Sequence, residues 1–409
     1  MKSVTGDTIA APFSIVQVAD YSPNYSGNFI VSLRTAAAEY RKRGFKPVWV
    51  FPQEARDRTW LEELGKEGES SVYILPRRHS GHIRYAWELA RIARRENAAI
   101  LHTHFSRFDI AAWVAKIVCA LTGRHFELVW HVHSAFAPHP NRARLVLDAI
   151  KLGVLARTCR LVPVWEALYD GLVERGCPKE KMQVIPNGID TARCLLRTRS
   201  RKQVREELKV TDDALVLLGL GWEPVRKGVD TMLEALAHAR NSGRNPVLVL
   251  VGTDDRLQRF VDHWPERSVI SSVRVIPAVE HIGDLHGGAD VLVSASRAEG
   301  FPYSVAEAMI NGLPVVSTRI PALAWAFEAP GIFFFEMENS RELAEVIDRI
   351  AKRTQDESRL DAELSRKFVE ERYSVERWVR SVMQLYENLL PDDRDMNSRG
   401  ARAQKEAAV

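Results

Sequence analysis

Residues 294–314 read Ser-Ala-Ser-Arg-Ala-Glu-Gly-Phe-Pro-Tyr-Ser-Val-Ala-Glu-Ala-Met-Ile-Asn-Gly-Leu-Pro, and this stretch decides the fold. Its pattern predicts the end of a buried strand, a loop, a helix, and a tight stop before the next strand. Ser304 and Glu307 fit a capping box at the start of the helix. Gly312 follows the helix end, and Pro314 prevents its continuation. Such a helix directs its free N–H groups at the carboxyl edge of a parallel sheet, where α/β folds bind ligands and phosphates are stabilised.

Short apolar runs alternate with helical patterns in both halves of the chain. They are rich in Val, Ile and Leu, which is typical of strands buried on both faces of a parallel sheet. The predicted strands are residues 13–19, 47–51, 71–75, 98–102, 128–132 and 161–164, then 215–220, 247–251, 273–276, 291–295, 314–317 and 331–335. The clearest helical patterns between them are residues 30–43, 83–97, 110–122 and 229–241. These successive βαβ units predict an α/β fold with two Rossmann-like, doubly wound parallel-sheet domains.

The chain has 409 residues, more than one hydrophobic core usually supports, which also favours two domains. The turn Pro186-Asn187-Gly188 and the polar run 197–203 mark the boundary. We therefore divide the chain into residues 1–190 and 191–372, followed by an amphipathic segment over 373–390. Residues 391–409 are polar and charged without apolar periodicity, and we expect a disordered tail there.

Cysteine content and hydropathy limit the possible cellular locations. The four cysteines form no Cys-x-x-Cys pair, which argues against a disulfide scaffold and favours a reduced, cytoplasmic location. No apolar run approaches the roughly 18–20 residues that span a bilayer. The first twelve residues lack the apolar region of a signal peptide. If the protein meets a membrane, we expect it to do so from the surface, at the inner face.

Charge is distributed unevenly along the chain. Residues 1–195 hold 27 Lys+Arg against 19 Asp+Glu, a balance of +8, while the remainder of the chain is net acidic. Basic residues cluster at 41–46 and 77–95, and the segment 145–155 is apolar on much of its surface. This combination fits peripheral contact with an anionic membrane. The alternative is a buried helix face beside solvated arginines. Nucleic acid is not an expected partner, because no reading motif accompanies the basic half.

Three motifs occur in a fixed order between residues 184 and 314. Val184-Ile-Pro-Asn-Gly-Ile-Asp190 precedes Arg226-Lys227-Gly228, and Glu299-Gly-Phe-Pro-x-Ser-x-x-Glu307-Ala-Met-x-x-Gly-x-Pro314 follows. Together they resemble the family 4 glycosyltransferases of the GT-B fold, over residues 13–390. The resemblance implies an N-terminal acceptor-binding domain, a C-terminal nucleotide-sugar-binding domain and an interdomain cleft. It also implies that the helix over residues 373–390 packs back on the first domain.

The resemblance assigns roles to the motif residues. It implies retaining transfer of a sugar from a nucleotide-diphosphate sugar to an acceptor hydroxyl. Glu307 would bind the ribose hydroxyls and Glu299 the donor sugar. Lys227, with Arg226 beside it, would neutralise the charge that develops on the diphosphate leaving group. The loop and first helical turn would line the donor and offer backbone N–H groups from Phe301 to Val305; these residues are Gly300, Phe301, Pro302, Tyr303, Ser304 and Val305.

The first half would supply the acceptor side. The resemblance places Gly27 in the glycine loop near the reacting sugar, although Ser26-Gly27-Asn28 alone reads equally as a helix cap. It makes His133 the active-site histidine and gives His104 a position that is commonly histidine in the family. The alternative is that both are hydrogen-bonded histidines at strand ends. The residues expected to act in catalysis are His133, Lys227 and Glu299.

No metal or other cofactor is expected. The spacing of His102 with His104, and of His131 with His133, could suggest zinc. No neighbouring cysteine or Glu-x-x-His motif supports it, and no Asp-x-Asp ends a strand. One departure from the family is Trp222, which stands where an arginine usually follows the glycine, so altered diphosphate contacts are expected.

Several functions stay open at this level. The acceptor could belong to cell-surface polysaccharide or lipid-linked glycan synthesis, or be a small molecule such as a natural product. Another GT-B enzyme, such as a nucleotide-sugar epimerase, would turn over the donor without an acceptor. An inactive nucleotide-sugar-binding subunit would bind the donor without turnover. The sequence also leaves a homodimer open.

Overall fold

The computed structural model describes residues 13–68, 70–76, 81–133, 149–241, 246–252 and 254–390. Within these residues, two six-stranded parallel sheets confirm the predicted fold class, and all twelve predicted strands are present. The first sheet contains β1 Ser14–Ala19, β2 Lys46–Pro52, β3 Ser71–Leu75, β4 Ala98–His104, β5 Glu127–Val132 and β6 Arg160–Pro163. The second contains β7 Val216–Leu220, β8 Val247–Gly252, β9 Val273–Pro277, β10 Val291–Ser294, β11 Val315–Thr318 and β12 Ile332–Phe335.

The two sheets share one topology. The first has the order β3-β2-β1-β4-β5-β6, and the second has the order β12-β11-β10-β7-β8-β9, the same doubly wound arrangement. In such a sheet the strand order reverses beside the first strand, and ligands bind at the carboxyl ends near that point. The structure therefore offers two equivalent crevices, one after β1 and β4 and one after β7 and β10.

Helices connect the strands. In the first half they are α1 Gly27–Lys42, α2 Thr59–Lys66, α3 Gly81–Arg95, α4 Asp109–Ala120 and α5 Glu166–Glu174. In the second half they are α6 Thr191–Leu195, α7 Arg201–Glu207, α8 Val229–Asn241, α9 Asp255–Asp262, α10 Arg267–Ile270, α11 Ile282–Gly288, α12 Tyr303–Ile310, α13 Ser340–Ala351, α14 Gln355–Tyr373 and α15 Val375–Glu387. Short 3₁₀ turns lie at Gln53–Ala55, Leu155–Thr158, Lys179–Lys181 and Pro321–Ala326.

The central strands are buried on both faces, as their continuous apolar runs predict. In β2, Val48 and Val50 belong to one hydrophobic cluster, while Trp49 and Phe51 belong to another. All four side chains are fully buried. Because successive strand side chains point to opposite faces, each face needs its own helical layer. This is why an alternating pattern is absent from the sequence.

The chain crosses between the two halves at a narrow backbone contact. Ile189 N–H donates to Tyr373 O at 2.7 Å, and Val375 N–H donates to Ile189 O at 2.9 Å. Gly188 allows this approach, because a Cβ there would lie 2.9 Å from Val375 Cα and from Trp378 Cβ. After the crossing, α15 packs on α1 in the first half. The domain limits at residues 190 and 372 stay predictions, and the tail over 391–409 lies outside the described residues.

Membrane insertion has no candidate helix in the part of the chain that is described. None of its helices combines the length and apolar character that a bilayer crossing requires.

Candidate active site

The carboxyl end of the second sheet holds a buried ion pair between Lys227 and Glu299. Lys227 Nζ donates to Glu299 Oε1 at 2.5 Å, and Ser296 Oγ donates to the same oxygen at 2.6 Å. Arg226 Nη1 lies 3.4 Å from Glu299 Oε2. Lys227 is only 4% exposed. The structure thus brings together three of the predicted donor-site residues, although Lys227 and Glu299 lie 72 residues apart in the chain.

The loop before α8 positions Lys227 by direct backbone packing. Gly228 has a φ of +65°, and a Cβ there would lie 2.0 Å from Ala295 O. Only glycine permits this contact between the loop and the end of β10. The approach carries the adjacent lysine into the space beside Glu299. The Lys-Gly order in the motif therefore has a steric cause.

Trp222, which replaces the family's arginine, contacts the same lysine. Lys227 Nζ lies 4.1 Å from the centre of the indole ring, within the range of a cation–π interaction. An arginine at this place would bring a second positive charge against Lys227. The substitution therefore removes one cation from the pocket and covers the remaining one with an aromatic face.

Burial and pairing act in opposite directions on this pair. Burial lowers the pKa of Lys227, and the Glu299 carboxylate partly restores it, so the pKa stays below its usual value. Burial raises the pKa of Glu299, but Lys227 and Ser296 outweigh that effect and hold it below its usual value. Each group therefore favours the charged form of the other, against the effect of burial.

The capping box predicted at Ser304 and Glu307 is wrong. Helix α12 starts at Tyr303 with Pro302 as its N-cap, and no side chain caps it. Ser304 is the second helical residue and Glu307 the fifth, so Glu307 lies in the second turn rather than the first. With Pro302 at the cap, the helix starts two residues earlier than the Ser-x-x-Glu spacing indicates. The predicted stop is confirmed, since Gly312 has a φ of +68° and donates to Met309 O.

Glu307 instead joins the two halves of the molecule. Its Oε1 accepts from Asn28 Nδ2 at 2.7 Å and from Arg193 Nη1 at 3.2 Å. Asn28 Oδ1 also accepts from Asp190 N–H at 2.9 Å. Burial lowers the pKa of Arg193, but the carboxylate of Glu307 outweighs it and the pKa is raised. Sequence reasoning missed Arg193, because a single arginine after the Asp190 turn looks like any solvated surface residue.

A second bridge holds the glycine loop. Glu280, after β9, accepts from Ser26 N–H at 3.1 Å and also from Ser26 Oγ. Ser26 stands at the N-cap of α1, as the helix-cap interpretation predicts, but its side chain bonds Glu280 instead of the helix backbone. Gly27 follows with a φ of +58°, and a Cβ there would lie 3.0 Å from Tyr21 Oη. Glu280 was also missed, since no motif surrounds it.

The remaining predicted donor residues lie in the loop before α12 and in its first turn. Phe301 and Val305 are buried, and Phe301 stacks on Trp325 at 5.4 Å between ring centroids, so their side chains belong to the core. The N–H groups of Tyr303 and Val305 already donate to Phe301 O and Pro302 O. A ligand could use those two groups only by sharing or replacing these bonds. Gly300 lies in the loop between Glu299 and this turn.

The carboxyl end of the first sheet carries four buried histidines. The two pairs that are separate in sequence meet across neighbouring strands β4 and β5. Ring centroids lie 4.5 Å apart within the first pair, 4.3 Å within the second, and 5.2 Å between His102 and His131. Burial lowers the pKa of all four imidazoles, to about 3 for His131. The cluster, His102, His104, His131 and His133, is therefore uncharged at neutral pH.

Three of these rings have the composition of a metal site but not its geometry. Nitrogen atoms of His102, His104 and His131 lie within 4.8 Å of one another. Their rings stack with interplanar angles of 9° to 30°. An imidazole binds a metal along a lone pair in its ring plane, and stacked rings direct those lone pairs nearly parallel rather than at one point. The rings would have to rotate before they could share an ion.

Comparisons with known proteins agree with this arrangement. The family described as Glycosyl transferases group 1 matches residues 200–374, and Glycosyltransferase Family 4 matches residues 31–193. Lipopolysaccharide glucosyltransferase WaaG of Escherichia coli (strain K12) is 29% identical over 143 residues, 34% of this chain and 38% of WaaG. The O-antigen biosynthesis glycosyltransferase WclY of Escherichia coli is 25% identical over 215 residues, 52% of this chain and 57% of WclY. The match thus spans less than two thirds of either relative.

A solved structure matches nearly the whole chain. Anabaena HepE in complex with UDP-glucose has a TM-score of 0.75 and 16% identity, covering 92% of this chain and 99% of HepE. At this identity the likeness concerns the fold.

Proposed function

The chain belongs to the family 4 glycosyltransferases of the GT-B fold, and from this premise we propose that it transfers a sugar from a nucleotide-diphosphate sugar to an acceptor hydroxyl with retention of configuration. The buried Lys227–Glu299 pair carries the proposal. A lysine buried beside a carboxylate and an aromatic ring stabilises the fold little more than an apolar residue would. This favours a role in ligand binding. Its place at the crevice after β7 and β10 suits a diphosphate.

The cations of this pocket suit the departing diphosphate. Lys227 and Arg226 are positive; both contact Glu299, and Arg226 also pairs with the exposed Glu223. Cleavage of the anomeric bond places negative charge on the β-phosphate, and a fixed cation in a buried site stabilises that charge strongly. Glu299 keeps Lys227 protonated and has oxygens that accept from sugar hydroxyls. No enzymic nucleophile is assigned; the leaving phosphate itself would help to deprotonate the acceptor.

Glu307 would bind the ribose of the donor. The bonds described for its carboxylate both fall on Oε1, so Oε2 would accept from the ribose diol. Closure of the halves would then be coupled to donor binding, since the same carboxylate contacts Asn28 across the cleft. On the opposite wall, His133 and His104 would face the acceptor side.

The proposed reaction needs no divalent metal. The two buried carboxylates of the cleft are already paired with cations, Glu299 with Lys227 and Glu307 with Arg193. A Mg²⁺ ion would need carboxylates free to coordinate it. The positive side chains supply the charge compensation instead.

The first test is a thermal-shift screen with UDP-, GDP-, ADP- and dTDP-sugars beside the free nucleotides. UDP-glucose is the first donor to try, because HepE has been captured with it. A ligand at about 100 times its Kd adds about 2.7 kcal/mol of stability. We expect one nucleotide to stabilise the protein and Lys227→Ala to abolish the shift. Lys352→Ala is the matched control, since Lys352 is an exposed lysine paired with Asp348.

Each runner-up function predicts a different result. No stabilisation by any donor would overturn the donor site. Binding without turnover would indicate an inactive subunit, and donor turnover without an acceptor would indicate an epimerase. WaaG and WclY are named for lipopolysaccharide and O-antigen synthesis, which favours a cell-surface or lipid-linked glycan as the acceptor over a small molecule.

We also propose that α3 contacts an anionic membrane from the cytoplasmic side. Ile83 is 88% exposed and Trp87 is 64% exposed, one helical turn apart. Arg84, Arg91 and Arg95 are exposed on the same helix, and of these Arg91 pairs with Glu88. Apolar side chains between arginines suit the boundary between lipid headgroups and acyl chains. The basic cluster over residues 41–46 fits less well, because Lys42 and Arg43 pair with Glu39 and Lys46 pairs with Glu96. Arg77, Arg78 and residues 145–148 lie outside the described residues.

Vesicle co-sedimentation tests this surface. We expect the protein to bind phosphatidylglycerol vesicles and not phosphatidylcholine vesicles, and the variant with Ile83→Ser and Trp87→Ser to lose binding. The matched control is Leu360→Ser with Leu364→Ser, since these leucines on α14 are also exposed, at 56% and 42%. Equal loss in both double variants would contradict the proposal. If the protein self-associates through Ile83 and Trp87 in the absence of vesicles, the surface is a dimer interface instead.

A further inference from the structure

A chain of buried hydrogen bonds connects the C-terminal helix α15 with His133. Tyr386, on α15, accepts from Gln17 Nε2 at 2.9 Å. Gln17 Oε1 lies 2.8 Å from His104 Nε2, and His104 Nδ1 lies 2.9 Å from His133 Nε2. Gln17, His104 and Tyr386 are at most 1% exposed, and His133 is 6% exposed. Because these groups are buried, each of these bonds joins two protein atoms and constrains the direction of the next.

The Gln17 amide determines the direction of every bond in this chain. Its nitrogen donates both hydrogens, one to Tyr386 Oη and one to Tyr40 Oη at 2.8 Å. Its oxygen, which can only accept, therefore faces His104. His104 Nε2 must carry the hydrogen, so His104 Nδ1 accepts from His133 Nε2. In a neutral imidazole only one nitrogen carries hydrogen, so His133 Nδ1 is left with a lone pair.

That lone pair has no protein partner within the described part of the chain. The His133 ring is held by Phe105, which stacks on it at 4.4 Å between centroids, and by the edge of Phe29 at 5.9 Å. The titratable groups that face His133 are the other histidines of the cluster; the Asn187 amide also interacts with the ring and raises its pKa, without the geometry of a hydrogen bond to Nδ1. A fixed ring with one unused acceptor is suited to receive a hydrogen bond from a hydroxyl.

We propose that Gln17 and Tyr386 are positioning residues that hold His133 in the Nε2–H tautomer, so that Nδ1 accepts from a substrate hydroxyl in the cleft. The expected effect on catalysis rests on the proposed transferase function, whereas the tautomer does not depend on it. Tyr386 lies on the helix that follows the crossing between the two halves. The element that joins the domains therefore also orients the histidine at the acceptor side.

The direct test is nitrogen NMR of full-length protein labelled with ¹⁵N-histidine, with His133→Gln used to assign the signals. The two nitrogens of a neutral imidazole give well-separated shifts. We expect His133 Nε2 to be protonated and Nδ1 to be bare. Gln17→Glu should keep this tautomer, because a carboxylate can also only accept from His104. Gln17→Met, of similar size but without the hydrogen bonds, should give a mixture of tautomers. A protonated Nδ1 in the unmodified protein would overturn the proposal.

Kinetic measurements then distinguish a positioning role of Gln17 from a purely structural one. Gln17→Met should lower kcat about threefold to tenfold, the range for one lost hydrogen bond, with the KM for the donor unchanged. Gln17→Glu should recover kcat but move the acid limb of the pH profile to higher pH, since its charge favours the imidazolium. Tyr169→Phe, on α5, is the control. Mixed tautomers with an unchanged kcat would contradict the positioning role. A failure to find any transfer would overturn the proposed function while leaving the NMR result to decide the tautomer.

Discussion

The two walls of the cleft keep their buried polar groups by opposite means. On the first-sheet wall, four histidines lose their charge because burial lowers their pKa, while Gln17 bonds His104 and Tyr386 bonds His102. On the second-sheet wall, Lys227 and Glu299 are just as buried, yet each keeps the other charged. Burial alone therefore does not determine charge; the presence of an opposite charge within about 4 Å does.

This difference suggests a division of labour. A neutral wall rich in directed lone pairs and N–H groups suits hydroxyls, whereas a charged wall suits a diphosphate. Four perturbations test whether the two walls differ in this way.

Acidification should produce the largest effect, and it acts on the histidine wall. The folded pKa of each histidine lies below the unfolded value of about 6.5, so the unfolded state binds more protons and stability falls as the pH drops below about 6.5. The loss is about 1.4 kcal/mol per histidine per pH unit, roughly 5 kcal/mol for the four at pH 5.5. Buried His286, whose pKa is lowered to about 3, adds to it.

Urea unfolding at pH 7.5 and pH 5.5 measures this loss. In His131→Asn the difference in the free energy of unfolding between pH 7.5 and pH 5.5 should shrink by about the contribution of one histidine. The carboxylates titrate at lower pH and contribute little in this window. Equal stability at both pH values would mean that the histidines are not neutral in the folded protein.

Glu299→Gln should have the next largest effect, because it breaks the charged wall. Without the carboxylate, burial lowers the pKa of Lys227 further, and the cation is lost as the pH rises through that value. We expect transfer to fall about 100- to 1000-fold at pH 8 and to recover partly at lower pH. Steady-state rates from pH 6 to 9 measure it, with Glu371→Gln as the control, since Glu371 is an exposed acid paired with Lys367 on α14. A loss independent of pH would contradict the role assigned to pairing.

Glu307→Ala tests the carboxylate that spans both walls. It removes the acceptor for Asn28 and Arg193 and the proposed ribose contact. Loss of a charged hydrogen bond costs about 1.5–3 kcal/mol, or roughly 10- to 150-fold in the Kd for nucleotide. Isothermal calorimetry against Glu363→Ala, an exposed glutamate on α14, measures it. An unchanged Kd would remove Glu307 from the donor site.

Trp222 should produce the smallest effect. Replacing it with leucine removes the aromatic face from Lys227 and should weaken nucleotide binding by about 1 kcal/mol, or about fivefold. Trp222→Tyr keeps an aromatic face and should retain most of the affinity. If both variants bind nucleotide equally, the contact between Lys227 and the ring contributes nothing to the pocket.

Much of the fold could be predicted, because its signals are local. Every strand is a short apolar run, and Gly312 ends α12 for a local steric reason. The start of α12 was misplaced, because Pro302 competes with Ser304 for the cap and the spacing alone does not decide between them. The donor-site residues carry motif signals in the sequence, whereas Arg193 and Glu280 carry none. Their roles arise from partners more than 80 residues away.

By itself the sequence determined the strand and helix pattern, the doubly wound fold class and the identity of Lys227, Glu299 and Glu307 as candidates. Those features depend on neighbours along the chain, which a pattern records. The tertiary structure alone decided that two histidine pairs form one neutral cluster, that Gln17 and Tyr386 direct its hydrogen bonds, and that Glu307 bridges the halves. Charge state and hydrogen-bond direction depend on burial and on distant partners, and these exist only once the strands have assembled.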